Sequence, residues 1–349
     1  MHRYAKGITM NAGDDTVPNP SLQEACKEND VETVKTLLES GDVDPNACVD
    51  GSSITPLMHA AEHGDERMVQ SLLEAGASWQ TQDAEGHTAG EYAMGNPDKS
   101  VFRLLLEWAV QSEMVLGRES LAKRKEESNP VNEEYLKSTI HYENEKLMDD
   151  STGEAVMMGW ETPLMVKHAK DICWNQGDVL NIGFGMGIID EEIQKLAPKT
   201  HTIIEAHPDV YQHMIRTGWD KKENVRVVFG RWQDVIDDLG PFDGIFFDTY
   251  GEYYEDMQIL HTKLPALLKD QGVYSFFNGL APDNIFFHMV YGEIARRELN
   301  ELGLRVEYYP VQVDASHQDI WKRVMHRYWH FPQYFVPLCR KCTTNDSSD

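Results

Sequence analysis

The stretch Asp178–Gly187, which reads DVLNIGFGMG, constrains the fold of this chain more than any other. Its apolar first half predicts a buried strand, and the glycines at positions 183, 185 and 187 predict a tight loop after it. The next apolar run, HTIIE, ends in Glu205. A strand, a glycine loop, a helix and a second strand that ends in an acid form half of a doubly wound nucleotide-type site. Glycine lets the backbone approach a ligand closely, and the acid can accept hydrogen bonds from ribose hydroxyls.

The spacing of the glycines indicates which nucleoside ligand to expect. A dinucleotide-binding G-x-G-x-x-G loop would carry its third glycine where Ile188 stands. The alternating G-x-G-x-G form is usual in methyltransferases that use S-adenosylmethionine (SAM). No Lys-Ser/Thr pair follows the loop, so a P-loop is unsupported. A glycine-rich turn that binds no ligand is the alternative that this motif alone leaves open.

The charge balance narrows the choice of partner. The sequence has 58 Asp and Glu residues against 32 Lys and Arg residues, which gives a formal net charge of −26. Nucleic acid and anionic membranes are therefore not expected as direct partners. A basic partner would suit this charge, although an acidic surface can also simply be solvated.

Targeting and cysteine signals favour a reducing compartment. No apolar run is long enough to span a membrane, and the first residues lack the apolar core of a secretory signal. The five cysteines are scattered, so we expect a protein of the cytoplasm or the nucleus. Cys339 and Cys342 form a lone CxxC without a second pair, so we expect an incidental feature and no metal site.

An internal repeat identifies a separate amino-terminal domain. The segment TPLMHAAEHGDERMVQSLLEAGA begins at Thr55, and a weaker copy begins at Thr88, one ankyrin period of about 33 residues later. Each such unit forms two short helices whose apolar faces need neighbouring units to be buried. The predicted division of the chain is a flexible amino terminus at 1–20, ankyrin-like repeats at 21–111, a charged linker at 112–134 and a SAM-dependent methyltransferase domain at 135–349.

The second domain alternates between strand and helix patterns, which predicts an α/β fold with a mostly parallel sheet. Five β-α units followed by a β pair give a seven-stranded, Rossmann-like sheet whose last pair is partly antiparallel. Ligands bind such sheets at the carboxyl ends of the strands. The predicted strands are 178–182, 201–205, 225–229, 242–248, 272–277, 305–313 and 326–338.

Two carboxylates are the candidates for acid–base chemistry. Asp248 ends an apolar strand at the expected ligand site, although an acid there can equally cap a helix or form a turn. Glu161 lies in MMGWETPLM, where the apolar residues on both sides indicate that it is partly enclosed.

Five segments together carry a family resemblance. They are WETPLM at 160–165, VLNIGFGMG at 179–187, IIEAH at 203–207, GRWQDV at 230–235 and FDGIFFDTY at 242–250, and they resemble guanidinoacetate methyltransferase. With ankyrin-like repeats in front, the whole chain resembles the fungal type IV protein arginine methyltransferases, which methylate the internal δ-nitrogen of arginine. The resemblance implies SAM as cofactor and a basic protein substrate, in this family a large-subunit ribosomal protein.

The resemblance also implies roles for individual residues. Glu161 and Asp248 would be catalytic and would bind the guanidino group, with Tyr250 nearby. Asn181 stands where many methyltransferases carry an acid, from which we expect a weaker attraction of SAM and no loss of activity. The implied cofactor-binding residues are Tyr135, Met157, Met165, Gly183, Phe184, Gly185, Met186, Gly187, Ile188, Glu205, Ala206, His207, Arg231, Trp232, Gln233 and Asp248.

The chemistry of arginine agrees with a pair of carboxylates. A guanidinium is planar and protonated, with a pKa above about 12, so its nitrogens are poor nucleophiles. Two carboxylates can bind its N–H groups, orient one nitrogen towards the methyl group and accept a proton as the new bond forms.

Three other functions stay open from the sequence. The chain could methylate a small guanidino compound, but ankyrin stacks generally present a surface that binds proteins. It could be an ankyrin-based binding protein with an inactive methyltransferase fold, but both carboxylates, the ribose acid and the glycine loop are present. A nicotinamide oxidoreductase is disfavoured by the glycine spacing.

Overall fold

The computed structural model describes the chain in four stretches, which are 21–48, 52–126, 132–315 and 318–342. The flexible terminus that we predict for residues 1–20 lies outside them. The chain divides into two compact units, residues 1–105 and residues 106–349. None of the helices in the described stretches combines the length and the apolar character that a membrane span requires.

Paired short helices make up the described part of the first unit. Thr55 and Thr88 begin two of these helices, because each side-chain hydroxyl accepts a hydrogen bond from a backbone N–H of the first turn. Pro56 follows Thr55 at the first helical position, where its missing N–H costs nothing. The helices are α1 (Leu22–Lys27), α2 (Val31–Ser40), α3 (Pro56–His63), α4 (Glu66–Glu74) and α5 (Ala89–Met94).

A long helix, α6 (Ser100–Glu126), follows these pairs. Its second half covers residues 112–126, which we expected to belong to a charged linker. The charged residues of this half are therefore helical, and the limits of the linker stay a prediction.

A small sheet, which the sequence did not predict, precedes the glycine loop. Short helix α7 (Glu133–Lys137) leads into it, and its strands pair antiparallel in the order β1-β2-β3. The strands are β1 (Ile140–Glu143), β2 (Lys146–Asp149) and β3 (Ala155–Met158).

The main sheet contains the predicted strands in the order β6-β5-β4-β7-β8-β10-β9, seven strands within the described residues. The first five in this order pair parallel, and β10 pairs antiparallel with both β8 and β9, which confirms the predicted fold class. Its strands are β4 (Asp178–Ile182), β5 (Thr200–Glu205), β6 (Val225–Phe229), β7 (Phe242–Phe247), β8 (Leu268–Phe276), β9 (Leu304–Gln312) and β10 (Gln333–Lys341).

Helices cover both faces of the main sheet, as expected of parallel strands that are apolar on both sides. Leu180 and Ile245 point to one face and pack in a cluster with residues of α12 and α13, whereas Val179 and Phe246 pack on the other face with α8 and α9. These helices are α8 (Thr162–Ile172), α9 (Ile188–Lys195), α10 (Pro208–Arg216), α11 (Trp232–Val235), α12 (Tyr254–Leu267) and α13 (Ile285–Glu301).

The carboxyl-terminal strand differs from the prediction. We expected a β segment at 326–338, but residues 326–332 have no regular structure and β10 extends to Lys341. The aromatic residues that suggested a strand have separate roles: Tyr328 contacts Glu161, and Trp329 is fully buried. Because β10 continues further than expected, Cys339 is a core residue of the main sheet.

Close packing of α8 on β7 makes Gly244 a sensitive position. A Cβ atom at Gly244 would lie 2.0 Å from the backbone oxygen of Ile172. We predict that Gly244→Ala lowers the free energy of unfolding by about 1–3 kcal/mol, because backbone rather than a flexible side chain must move. Gly117 lies in α6, and a Cβ atom added there would have nothing within 4 Å, so Gly117→Ala is the matched control and should be neutral or stabilising. Urea denaturation measures both, and an unchanged Gly244→Ala variant would contradict the packing described here.

Candidate active site

A cavity of about 580 Å³ lies at the carboxyl ends of the parallel strands. Its walls include residues of the loops after β4, β5, β6, β7 and β8, of β3, and of the segments 132–136 and 326–328. This is the position expected for a ligand site in a doubly wound sheet. It is also large enough for a nucleoside-sized ligand and a side chain of a second ligand.

The glycine loop needs glycine for two different reasons. Gly183 has a φ of +95°, and a Cβ atom there would lie 1.8 Å from the backbone oxygen of Asp248. Gly187 has a φ of +74°, and its Cβ would lie 2.4 Å from the ring of Phe184. Both positions combine a left-handed conformation with a contact that excludes a side chain. The first of them brings the loop directly against the end of β7, where Asp248 stands.

Glu205 connects the glycine loop to the end of β5. Its carboxylate accepts hydrogen bonds from the backbone N–H of Phe184 at 2.9 Å and from that of His207 at 2.6 Å. Burial raises the pKa of Glu205, and these backbone donors oppose that effect. The backbone donors that oppose it include the N–H groups of Ala206 and Gly185, and a carboxylate has about four acceptor positions for them to share. Because Glu205 also lines the cavity, it holds the loop and faces a ligand there.

Asn181 interacts with a buried acid rather than with the cavity. Its side-chain nitrogen lies 2.9 Å from both carboxylate oxygens of Asp190 and donates to the backbone oxygen of Gly183 at 2.9 Å. Asp190 and His201 are fully buried, and the Nε2 of His201 lies 3.0 Å from Asp190. The amide at position 181 thus connects Asp190 to the glycine loop, because its NH₂ group donates to the carboxylate and to the backbone oxygen of Gly183.

Most of the predicted cofactor residues line the cavity. The rings of Tyr135 and Tyr250 are adjacent there, with centroids 4.7 Å apart. The predicted residues in the cavity wall are Tyr135, Met157, Gly183, Phe184, Gly185, Glu205, Ala206, Arg231, Trp232, Gln233, Asp248 and Tyr250.

The remaining predicted cofactor residues are not part of the cavity wall. Met165 is fully buried in the core under α8, and Ile188 packs on the same core. Met186 donates its backbone N–H to the sulfur of Met157, and Gly187 begins α9. His207 is buried against the ring of Tyr135, where it begins α10.

Glu161 is held in place by the turn that carries it. Gly159–Glu161 form one turn of 3-10 helix, and α8 then begins at Thr162, with Pro163 in its first turn. This turn brings the Glu161 carboxylate back to the backbone N–H of Met158, at 2.8 Å. The hydroxyl of Tyr328, a residue of the cavity wall, donates to the same carboxylate oxygen.

Both predicted catalytic carboxyls are buried, and the charge of Asp248 acts on Glu161. Glu161 is only 3% exposed. Burial, and then the negative charge of Asp248, raise the pKa of Glu161, while Tyr328 and Met158 oppose the shift by donating hydrogen bonds. Burial also raises the pKa of Asp248. Two carboxyls that are both difficult to ionise form a site for a cation that can pair with both.

The loop after β7 is attached at several points. The side chain of Asn132 donates to the backbone oxygen of Tyr250 at 3.1 Å. Arg124, in the last turn of α6, forms a buried ion pair at 2.7 Å with Asp256 in the first turn of α12. Because Asp256 is nearly inaccessible to water, loss of Arg124 would leave a buried carboxylate without its counter-charge. These contacts fix the loop that carries Asp248 and Tyr250.

Three residues of the site are not found from the sequence. Sequence patterns place Tyr328 in a strand, assign no role to Glu252 and make Asp190 an ordinary helix residue. Only Glu252 has a sequence signal, since it lies four residues after Asp248 in the same loop. The other two reach the site through contacts between segments distant in sequence.

Comparisons with known proteins agree with this architecture. Residues 124–341 match the family model described as guanidinoacetate N-methyltransferase, and residues 22–114 match ankyrin repeats (3 copies). A protein arginine N-methyltransferase 2 from Cryptococcus neoformans var. neoformans serotype D is 33% identical over 320 residues, which span 81% of this chain and 85% of that relative. The chain belongs to the protein arginine N-methyltransferase 2 family.

Further members of the protein arginine N-methyltransferase 2 family show similar agreement. The relative from Saccharomyces cerevisiae is 33% identical and the match covers 77% of this chain and 76% of the relative. The relative from Aspergillus oryzae is 31% identical, and the match covers 86% of this chain and 84% of that relative. Membership of this family makes the chain a methyltransferase with ankyrin repeats.

The contact between Asn181 and Asp190 predicts the effect of an acid at position 181 in this family member. Asn181→Asp would place a second buried carboxylate against Asp190, so we expect the free energy of unfolding to fall by about 3 kcal/mol or more. We also expect no gain in affinity for SAM, contrary to what the sequence alone suggested. Urea denaturation and calorimetry measure the two effects.

The exchanged pair is the control for this prediction. Asn181→Asp combined with Asp190→Asn restores one carboxylate and one amide, so it should recover much of the lost stability. A single Asn181→Asp variant as stable as the parent would show that the two side chains do not interact as described.

Proposed function

We propose that this chain transfers the methyl group of SAM to a guanidino nitrogen of arginine in a protein substrate. The observation that carries the proposal is the buried carboxyl pair, Glu161 and Asp248. Asp248 lines the same cavity as the glycine loop and Glu205, and Glu161 lies next to it, where it accepts a hydrogen bond from Tyr328 of the cavity wall. The names of the relatives, which state that they act on protein arginine, support the same reaction.

The residues of the cavity fit SAM. Gly183 and Gly185 leave no room for side chains, and a Cβ at Gly185 would lie 2.8 Å from the sulfur of Met157. Glu205 would accept hydrogen bonds from the ribose, and Trp232 with Gln233 would border the base. SAM supplies a methyl group on a sulfonium, with a neutral thioether as leaving group.

The protein would contribute orientation and a proton acceptor. Glu161 and Asp248 would each accept hydrogen bonds from the planar guanidinium, which fixes one nitrogen towards the methyl group. As the new N–C bond forms and the S–C bond breaks, one carboxylate would accept the proton that the nitrogen loses. Tyr250 and Tyr135 would exclude water from this part of the cavity and strengthen both ion pairs.

The finer identity of the substrate rests on the resemblance and on charge. The type IV resemblance favours the internal δ-nitrogen of arginine and a large-subunit ribosomal protein. A formal net charge of −26 suits a basic protein of this kind. The ankyrin-like repeats would recruit the protein substrate, in the cytoplasm or the nucleus. Methylation of a small guanidino compound, or an inactive scaffold, are the alternatives that the following experiment distinguishes.

Methyl transfer from labelled SAM tests the proposal directly. We predict label on a ribosomal-protein fraction, as δ-methylarginine on fragmentation by mass spectrometry, and none on guanidinoacetate. Asp248→Asn and Glu161→Gln should each lower kcat at least about 100-fold, because each removes a carboxylate that orients or deprotonates the guanidinium. Asp270→Asn, an exposed acid of β8, is the isosteric control and should leave transfer unchanged.

Two other results would point to the alternatives. Label on guanidinoacetate alone would assign the chain to small-molecule methylation. No label on either substrate despite SAM binding would favour a scaffold. Thermal stabilisation of the protein by added SAM measures separately whether SAM binds.

The raised pKa values of Glu161 and Asp248 predict a distinctive pH profile. A neutral carboxyl cannot pair with a guanidinium, so kcat/KM should fall as the pH falls through these pKa values. Because both pKa values are raised, the midpoint of this fall should lie well above about 4, the ordinary value for a carboxyl. Initial rates between pH 5 and 9 measure it. A profile that is flat down to pH 5 would mean that the pair is not buried as described.

A further inference from the structure

The cavity wall carries a third carboxylate, Glu252, that the proposed mechanism does not use. One of its oxygens accepts hydrogen bonds from the indole N–H of Trp232 at 2.9 Å and from the hydroxyl of Thr249 at 2.7 Å. The other accepts from the side-chain nitrogen of Gln233 at 2.7 Å. Glu252 therefore joins the loop after β7 to the start of α11. Burial raises the pKa of Glu252, and the three donors oppose that effect by stabilising the charged form.

Glu252 determines which way the amide of Gln233 faces. An ionised carboxylate can only accept hydrogen bonds, so Gln233 must turn its NH₂ group towards it. The amide oxygen of Gln233 is consequently directed away from Glu252. This oxygen is buried and has no hydrogen-bond partner among the described residues, although Gln233 lines the cavity. A buried acceptor without a donor is unfavourable, so it is a candidate group for recognition of a ligand.

The position of Gln233 fits the base of a bound nucleoside. Glu205, which would hold the ribose, pairs with Phe229 in the register of β5 and β6. The segment Gly230–Gln233 therefore starts directly beside the ribose site, and Gly230 and Trp232 also line the cavity. A purine attached to a ribose at Glu205 would have its edge within reach of this segment.

We propose that Glu252 is a specificity-determining residue that orients the Gln233 amide, so that the Gln233 oxygen accepts a hydrogen bond from the 6-amino group of the purine. This inference rests on the proposed function for the identity of the nucleoside. A 6-oxopurine presents an acceptor in place of the amino group, and two facing acceptors exclude each other. The site therefore selects adenine over hypoxanthine, and Glu252 acts through Gln233 without touching the base.

Binding of two nucleosides that differ only in this group tests the proposal. Isothermal titration calorimetry with S-adenosylhomocysteine and S-inosylhomocysteine gives the ratio of their dissociation constants. We expect the parent protein to bind the adenosine compound about tenfold more tightly or better. The adenosine compound makes one buried hydrogen bond to Gln233, whereas the inosine compound would place its 6-oxo group against the Gln233 oxygen. Equal affinities in the parent protein would overturn the proposal.

Two variants separate Glu252 from Gln233. Glu252→Gln can donate as well as accept, which frees the Gln233 amide to rotate, so the preference should fall to about threefold or less. Gln233→Met removes the acceptor and should abolish the preference even if Glu252→Gln folds poorly. Glu255→Gln, at the start of α12 and outside the cavity wall, is the control and should keep the parental preference. A preference that survives in Glu252→Gln and Gln233→Met would overturn the proposal.

The outcomes also distinguish this inference from the proposed function. Equal binding of both nucleosides together with methyl transfer to protein arginine would overturn the inference alone. Selective binding of the adenosine compound without transfer to arginine would support the inference and contradict the proposed acceptor. Failure to bind S-adenosylhomocysteine would contradict both, because the proposed donor would then have no site.

Discussion

The burial of two carboxyls, with the charge of Asp248 acting on Glu161, is the constraint on which the rest of the site depends. Glu161 and Asp248 come from different parts of the chain, one from a turn before α8 and one from the end of β7. Burying both as anions is unfavourable, and a cation that pairs with both relieves the repulsion. A planar guanidinium can make hydrogen bonds to two carboxylates at once, whereas a lysine ammonium is a point charge. In the proposed function, the pair would therefore favour arginine over other basic side chains.

The surrounding structure connects the two acids to the proposed nucleoside site. Gly183 lies so close to the backbone of Asp248 that no side chain fits between the glycine loop and the end of β7. Glu205 ties the same loop to β5, and Asn181 ties it to Asp190 beneath it. On the far side of Asp248, Glu252 and the Arg124–Asp256 ion pair fix the following loop. The proposed sites for the methyl donor and for the acceptor nitrogen thus share backbone segments, which would suit a reaction that requires alignment of a methyl group with one nitrogen.

The sequence predicted the parts of the fold that local patterns encode. Apolar runs bounded by turn residues located β4 to β7 within a residue or so, and Thr55–Pro56 identified a helix start. The small sheet was missed because its four-residue strands lack a clear alternation. The prediction of a strand at 326–332 was wrong because the aromatic side chains there make separate tertiary contacts instead of alternating between the two faces of a sheet. In the site, carboxylates at strand ends could be anticipated, but Tyr328 and Asp190 depend on contacts that no local pattern contains.

Proton release on binding is the most direct test of the buried carboxyl pair. The measurement is calorimetric titration of a short basic peptide with a single arginine that the enzyme methylates into protein saturated with S-adenosylhomocysteine, at pH 7 in buffers of different ionisation enthalpy. If Glu161 and Asp248 share a proton in the free protein, a guanidinium must displace it, and the observed enthalpy should depend on the buffer with net release of protons. An enthalpy independent of the buffer would show that both acids are already ionised, and it would contradict the account of a site organised around two acids that cannot both be charged without a cation.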